Sequence, residues 1–232
     1  MSTIFPARPR PDAPVAGTAA RFPVGRIFCV GRNYAAHARE MGSDPKAEPP
    51  FFFAKDADAY APDGATIPYP SVTRDFHHEV ELVVAIGKAG FTVSLADAAS
   101  LIFGYAVGLD MTRRDLQADA KNHGRPWSVA KNFPHSAPMG MIHPVTETGI
   151  MIRAPISLTV NGQTRQSSDI ADMIWTVDET IVALTKLYRL QPGDLIYTGT
   201  PEGVGAVQSG DVLVGSIGGL GTLTITIGPP DA

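Results

Sequence analysis

Short apolar runs, separated by turns that contain glycine or proline, dominate the hydrophobic pattern of this chain. Runs of this length that are rich in β-branched and aromatic residues are typical of β-strands. They predict strands at 26–31, 51–55, 79–87, 103–111, 156–165, 194–200 and 223–228. Within one of these segments the dipeptide Asn161-Gly162 is a strong hairpin signal. The pattern therefore predicts a chain built mainly from short strands.

Three segments have a helical pattern instead, at 33–41, 94–102 and 176–188. The last is the longest, with Ile181, Leu184 and Leu187 at helical spacing before a Pro-Gly stop. No internal repeat is visible, and no change of composition marks a linker after residue 25. These features predict the α+β fold class, rich in strand, with an extended N-terminal arm at 1–24 and a single domain at 25–232.

The composition of the chain argues against some classes of function. The 232 residues carry a net charge of −4 without clustered Lys and Arg, which argues against a nucleic-acid partner. No apolar run approaches the roughly 18 residues of a membrane span, and the proline-rich start is a poor secretory signal, so no membrane partner is expected. The single cysteine, Cys29, excludes an internal disulfide and is expected to be a buried thiol. A cytoplasmic protein is predicted.

The segment FHHEVEL carries the first candidate chemistry. Glu79 and Glu81 alternate along a strand and so project from the same face, and Asp110 ends another apolar strand. Three carboxylates without a cysteine pair suit a hard divalent cation such as Mg²⁺ or Mn²⁺. An edge strand that shows its glutamates to water would have the same pattern. His77 and His78 leave zinc open, although their spacing is not that of a structural zinc site.

Several segments together resemble one family, the fumarylacetoacetate hydrolase superfamily, and within it the small, single-domain acylpyruvase branch. They occur in the family's order and are FCVGRNYAAHAREMG, FFFAKDADAY, HHEVELVVAIG, GYAVGLDMTRRDLQ, GRPWSVAKNF and GDLIYTGTPEGVG. The resemblance implies a mixed β-strand roll with a few short helices, which makes 25–232 a catalytic domain. It also implies a homodimer and one divalent cation, Mg²⁺ or Mn²⁺, in each subunit.

The resemblance assigns roles to the acidic residues and to one histidine. Glu79, Glu81 and Asp110 match the metal ligands of the family. His37 and Glu40 match its water-activating pair, and their i, i+3 spacing places them on one face of a helix. Without the resemblance, a solvated surface helix would be the favoured interpretation of that pair.

Further positions match residues around the substrate. Lys131 matches a catalytic lysine beside the metal, and the other matching positions are Arg32, Lys55, Arg114, Gln117 and Thr200. The alternative for a lysine is a surface side chain whose stem covers apolar residues. The segment GTPEGVG lacks the Lys-Ser/Thr of a phosphate-binding loop, so nucleotide binding there is not expected.

The implied activity is hydrolysis of the C3–C4 bond of an acylpyruvate, a small-molecule keto acid. Fumarylpyruvate, cleaved to fumarate and pyruvate in gentisate-type aromatic catabolism, is the expected substrate, with Lys55 or Arg114 meeting its distal carboxylate. Oxaloacetate decarboxylation or isomerisation of a keto-enol acid would use the same metal and enolate chemistry. A metal-binding or scaffold protein without catalysis is the alternative from another class.

Overall fold

The structure, a computed structural model, describes residues 4–6, 8–40 and 49–230. Its first nine strands are β1 Asp12–Pro14, β2 Arg21–Pro23, β3 Ile27–Val30, β4 Phe52–Lys55, β5 Tyr60–Pro62, β6 Thr66–Tyr69, β7 Phe76–His78, β8 Val80–Ile86 and β9 Ile102–Leu109. The remaining strands are β10 Thr112–Arg113, β11 Ala137–Met139, β12 His143–Pro144, β13 Pro155–Val160, β14 Gln163–Asp169, β15 Leu195–Tyr197, β16 Gly205–Ala206, β17 Val212–Ile217 and β18 Gly221–Pro230.

The helices are short and lie between the strands. They are α1 Ala35–Glu40, α2 Leu95–Ala98, α3 Arg114–Asn122, α4 Ser128–Lys131, α5 Val145–Thr148 and α6 Val177–Leu187. Single 3₁₀ turns occur at Ala57–Ala59, Ala99–Leu101 and Ile170–Asp172. In the part of the chain that is described, no helix has the length and apolar character needed to cross a bilayer.

Two mixed sheets form most of the fold. The larger has the order β4-β3-β15-β8-β9-β11-β5, with β12 added beside β9, and the second has the order β14-β13-β17-β18-β6. A three-stranded sheet, β10-β7-β16, lies at the start of β8, and β1 and β2 form a separate hairpin. Strands β8 and β9 are therefore central in the larger sheet, so neither is an edge strand.

Strand β8 is buried on both faces along its whole length. Its even-numbered residues, including Leu82 and Val84, pack in one apolar cluster with Leu213 and Leu223 of the second sheet. Burial of each such side chain stabilises the fold by about 1.5–3 kcal/mol. This face of β8 therefore joins the two sheets.

The opposite face of β8 changes character along the strand. Val83 and Ala85 pack in a second apolar cluster, together with Ala13 and Phe22 of the N-terminal hairpin. The preceding odd-numbered positions on the same face are Glu79 and Glu81. The segment 12–24 thus contributes buried residues, and the predicted division into an arm and a domain at residue 24 stays a prediction.

All seven predicted strands are present, and the fold class is confirmed. The segment 156–165 divides into β13 and β14 at Asn161-Gly162, where both residues have positive φ angles of 51° and 77°. The helix predicted at 33–41 is observed at Ala35–Glu40, and Met41 lies outside the described residues. Helix α3 was not predicted, because among its nine residues only Gln117 and Ala120 are buried and no apolar stripe marks it.

The N-terminus of α6 generates a stability prediction. Thr176 accepts a hydrogen bond from the Glu179 N–H, and the Glu179 carboxylate accepts one from the Thr176 N–H at 2.9 Å, which forms a capping box. Thr176→Ala is expected to destabilise the protein by about 1 kcal/mol, which corresponds to a thermal midpoint about 2–4 °C lower. Ser71→Ala, at an exposed loop position, is the control and should melt like the wild type. Equal midpoints for all three proteins would contradict a stabilising cap.

Candidate metal centre and active-site cleft

The pairing of β8 with β9 brings three acidic residues together. Val80 lies opposite Leu109, and the Asp110 N–H donates to the Glu79 carbonyl oxygen at 2.8 Å. Glu81 follows two residues after Glu79 and projects from the same face. One oxygen from each of Glu79, Glu81 and Asp110 lies within 4.8 Å of the others, and all three side chains are buried. The register of two strands therefore builds a carboxylate cluster.

Glu81 is held by the loop that follows β15. The Gly199 N–H donates to Glu81 Oε2 at 2.8 Å. Gly199 has a φ of +98°, and a Cβ at this position would lie 2.7 Å from the Cβ of Asn33. Asn33 in turn donates to the Thr198 carbonyl oxygen at 2.8 Å. A glycine is therefore required at 199, since its conformation and its close packing let the backbone reach the carboxylate.

Lys131, at the end of α4, places its ammonium group between two of the acids. It donates to Glu79 Oε2 at 2.8 Å, to Asp110 Oδ2 at 2.7 Å and to Thr112 Oγ1 at 2.6 Å. Burial would lower the pKa of Lys131, but Asp110 and Glu79 outweigh it and the pKa is raised. The lysine therefore stays charged and partly neutralises the cluster.

Lys55 contacts Asp110 with a fully buried side chain that does not line the cleft described below. Its ammonium group donates to the backbone oxygens of Lys131 at 2.5 Å, Ser136 at 2.8 Å and Met111 at 3.3 Å. It also lies 2.8 Å from Asp110 Oδ1 as an ion pair. An ammonium has three protons to donate, and three carbonyl oxygens meet the geometry of a hydrogen bond with it. Asp110 Oδ1 is thus attracted to a positive charge but accepts no hydrogen bond.

The acids differ in their ionisation. Burial raises the pKa of Glu81 well above its ordinary value, and the neighbouring Asp110 and Glu79 charges add to that shift. Burial also acts to raise the pKa of Glu79, but Lys131 and Arg114 outweigh it and the pKa is lowered. Glu81 therefore ionises readily only if a further positive charge joins the cluster. Together with Asp110 Oδ1, which accepts no hydrogen bond, this donor set fits a divalent cation with oxygen ligands.

The two histidines next to the cluster have other partners. His78 Nδ1 lies 3.1 Å from Gln166 Oε1, and burial lowers the pKa of His78 to about 4. His77 Nε2 lies 2.8 Å from Asp75 Oδ1. Among the described residues the cluster contains carboxylates alone, so the zinc alternative gains no support. The edge-strand alternative is wrong, because Glu81 is 1% exposed on a central strand.

A cleft of about 220 Å³ opens beside the cluster. Glu79 and Lys131 line it with buried side chains and define what we call its inner end. Its lining residues are Gly31, Arg32, His37, Glu79, Arg114, Gln117, Ala118, Lys121, Asn122, Trp127 and Lys131. Trp127 and Lys131 also line a second groove with Phe51 and Phe53, so the indole separates two approaches to the lysine.

Helix α1 presents His37 to the cleft. The side chain is 4% exposed, and its Nδ1 lies 3.1 Å from Glu40 Oε2, one helical turn further along. A carboxylate in this position holds the imidazole ring in one orientation, with Nδ1 as the donor. The pair is therefore only partly a solvated surface feature, since Glu40 is exposed and His37 is not.

Arg114 connects the cleft wall to the cluster. Its guanidinium group donates to Glu79 Oε1, to Gln117 Oε1 at 2.5 Å and to His77 Nδ1 at 3.4 Å. Because His77 Nδ1 accepts, the proton of the neutral ring is on Nε2, which donates to Asp75. The series of hydrogen bonds from Asp75 through His77 and Arg114 to Glu79 thus fixes the position of the guanidinium group.

Two predicted substrate residues lie elsewhere than expected. Lys55 has a completely buried side chain beneath the cluster, and it does not line the cleft. The Thr200 hydroxyl donates to the Val80 carbonyl oxygen at 2.9 Å and accepts from Gln166, so it braces the backbone of β8. Arg32 does line the cleft, with its guanidinium carbon 5.3 Å from the centre of the Phe51 ring.

Four contributors were missed by the sequence analysis: Asn33, Thr112, Lys121 and Trp127. Thr112 directly follows the predicted strand 103–111 that carries Asp110, which is a usable signal. Asn33 acts on a loop 165 residues away in the chain, and no local pattern reveals such a contact.

Known proteins are similar to this chain in sequence and in structure. Residues 26–228 match the family model described as fumarylacetoacetate (FAA) hydrolase C-terminal. Fumarylpyruvate hydrolase of a Ralstonia species is 48% identical over 189 residues, covering 81% of this chain and 97% of that protein. Human mitochondrial oxaloacetate tautomerase FAHD1 is 42% identical over 205 residues, covering 88% and 92%.

A crystal structure of fumarylpyruvate hydrolase from Pseudomonas aeruginosa, in complex with Mn²⁺ and pyruvate, superposes with a TM-score of 0.96. It is 49% identical and covers 98% of this chain and 100% of that one. Fold, cleft and relatives together define an enzyme, a hydrolase acting on carbon–carbon bonds. The chain belongs to the fumarylacetoacetate hydrolase family, and the resemblance found in the sequence is confirmed.

The raised pKa of Glu81 generates a prediction for the metal-free protein. The unfolded chain ionises near the ordinary value of 4.5, whereas the folded state holds the proton to a higher pH. Stability is therefore lost as the pH rises from about 4.5 toward the raised pKa, by up to about 1.4 kcal/mol per pH unit. Glu81→Gln removes this titration, so in chelator its thermal midpoint should fall less steeply than that of the wild type between about pH 5 and pH 8.

Exposed Glu202 provides the control, and Glu202→Gln should keep the wild-type slope. Added Mn²⁺ should raise the wild-type midpoint and raise that of Glu81→Gln less, because a cation that binds only the folded state stabilises it. Identical pH slopes and identical Mn²⁺ effects in all three proteins would contradict a cation site at Glu81.

Proposed function

We propose that the protein is a divalent-metal-dependent acylpyruvate hydrolase, which cleaves fumarylpyruvate to fumarate and pyruvate. The observation that carries the proposal is the placement of a buried carboxylate cluster and a buried histidine, His37, on one cleft. The Ralstonia relative is named for this reaction, and the Pseudomonas neighbour holds Mn²⁺ and pyruvate, one of the two products.

In this proposal Glu79, Glu81 and Asp110 hold the cation, which is Mg²⁺ or Mn²⁺. When bound, the cation neutralises the acids and supplies Lewis acidity toward the negative charge that develops on a substrate oxygen. The second group near this charge is Lys131, whose ammonium already lies among the acids at the inner end of the cleft. It adds electrostatic stabilisation that is in place before the reaction starts.

Arg114 and Gln117 orient the keto acid at the inner end of the cleft. Both line the cleft, and the guanidinium–amide contact of 2.5 Å holds them as a unit. Planar guanidinium groups suit carboxylates. We therefore assign the C1 carboxylate of the substrate to this pair.

His37 acts as the general base. It takes a proton from water while the water oxygen forms a bond to C4 of the substrate, and Glu40 stabilises the resulting imidazolium. The C3–C4 bond then breaks, and its electron pair passes to C3 and is delocalised onto the C2 oxygen as an enolate. Protonation of C3, with His37 as the donor, completes pyruvate, while C4 becomes the new carboxylate of fumarate.

Oxaloacetate is the substrate of a second candidate function, because the human relative is named an oxaloacetate tautomerase. Enolisation or decarboxylation of oxaloacetate builds up charge on the same oxygen and needs no attack by water. The inner end of the cleft, with Lys131 and Arg114, would serve these reactions as well.

The proposal also covers the location of the protein in the cell, its oligomeric state and the type of metabolism that it serves. We infer a cytoplasmic homodimer that serves aromatic catabolism of the gentisate type. Support comes from the reaction named for the Ralstonia relative and from the single, buried Cys29, which suits a reducing compartment. Exposed apolar side chains at Ile150 and Ile152 offer surface for a second subunit.

The role of His37 is tested by substitution. His37→Ala should lower kcat for fumarylpyruvate hydrolysis roughly 10²- to 10⁴-fold, because general-base assistance is lost. Oxaloacetate decarboxylation should fall far less, since it needs no activated water. Both rates are followed by absorbance with Mg²⁺ or Mn²⁺ present.

His123→Ala is the control, because that histidine is about half exposed and lies outside the cleft lining. It should retain both activities. Wild-type enzyme that turns over oxaloacetate but not acylpyruvates would favour the second candidate, and equal loss of both reactions in His37→Ala would contradict a base specific to water attack.

A further inference from the structure

We propose that helix α3 sets the length of the substrate, and that Lys121 at its outer end binds a distal carboxylate. This inference rests on the proposed acylpyruvate hydrolysis and adds the residue that selects dicarboxylic substrates. It replaces Lys55 and Arg114, the two cations considered for that carboxylate from the sequence.

One face of α3 forms a wall of the cleft. Arg114, Gln117, Ala118 and Lys121 all line it. They stand at positions i, i+3, i+4 and i+7, which lie along one side of a helix. The helix therefore runs outward from the metal centre with a polar or small side chain at each step.

The spacing along this face matches a seven-carbon keto acid. Arg114, at the inner end, is bonded to Glu79 of the carboxylate cluster. At a rise of 1.5 Å per residue, Lys121 lies about 10 Å further out along the axis. The terminal carboxyl carbons of an extended seven-carbon chain are roughly 8 Å apart, so a flexible lysine side chain reaches the outer one.

Charge along the cleft favours an anion at the outer end. The only acidic residue in the described lining is Glu79, and its oxygens are already engaged by Arg114 and Lys131. The lining also contains the cations Arg32, which is half-buried, and Lys121, which is exposed. A distal carboxylate beside Lys121 meets no further acidic residue among the described lining residues, whereas an acetyl group gains nothing from either cation.

Three further cations, Lys55, Arg114 and Lys131, contact the acids of the cluster. Lys55 is buried under the cluster and directed at three carbonyl oxygens. Arg114 and Lys131 hold the acids. Lys121 is exposed, and the neighbouring Asn122 also lines the cleft and can donate to the same carboxylate.

Lys121 is tested by the ratio of kcat/KM for fumarylpyruvate to kcat/KM for acetylpyruvate, measured with Mn²⁺. Lys121→Met should lower this ratio roughly 10- to 100-fold, which is the range for a lost hydrogen bond to a charged group. Lys121→Glu should lower it further through repulsion, and Lys121→Arg should restore most of it. A structural role of Lys121 would change both substrates together and leave the ratio unaltered.

Two further variants complete the test. Lys88→Met removes an exposed lysine outside the cleft lining and should keep the wild-type ratio. Arg32→Met examines the other cation of the lining that is not buried and should lower the ratio less than Lys121→Met does. An unchanged ratio in the Lys121 variants, or a loss confined to Arg32→Met, would overturn the assignment. Wild-type enzyme that cleaves neither acylpyruvate would overturn the proposed function itself.

Discussion

Three carboxylates that share a few ångströms inside the protein are the constraint on which the arrangement around them depends. The register of β8 and β9 forces this contact, and the desolvation of each acid is costly unless opposite charge is close by. Lys131, Lys55 and Arg114 come from three separate elements and converge on the acids. Each of them places a cationic group beside an acid, which lowers the cost of burying the cluster.

One strand serves both the core and the chemistry. Its even-numbered side chains join two sheets, and its odd-numbered side chains change from acidic at Glu79 and Glu81 to apolar at Val83 and Ala85. The site therefore lies on a strand that is buried along its whole length, which limits how far the acids can move apart to relieve repulsion. Rigid support of this kind favours a preorganised site.

Residues whose role depends on local pattern could be predicted from the sequence. The alternation of Glu79 and Glu81, the helical face of α6 and the burial of Cys29 all have short-range signals. Helix α3 has none, because it packs a polar face along a cleft. The orientation of Lys55 could not be predicted from its neighbours in the sequence. Its ammonium group lies where carbonyl oxygens of distant residues accept its hydrogen bonds, and these contacts exist only in the folded chain.

The N-terminal hairpin extends the folding unit beyond the segment by which the family is recognised. The family match begins at residue 26, yet Ala13 and Phe22 are buried against the same face of β8 that carries the acids. The hairpin is thus part of the hydrophobic core, although it lies outside the segment that defines the family. Substitutions in this hairpin change the packing around Val83 and Ala85, which lie on the same strand as Glu81. We therefore expect that relatives can differ in their acidic cluster even where every residue of the cleft is the same.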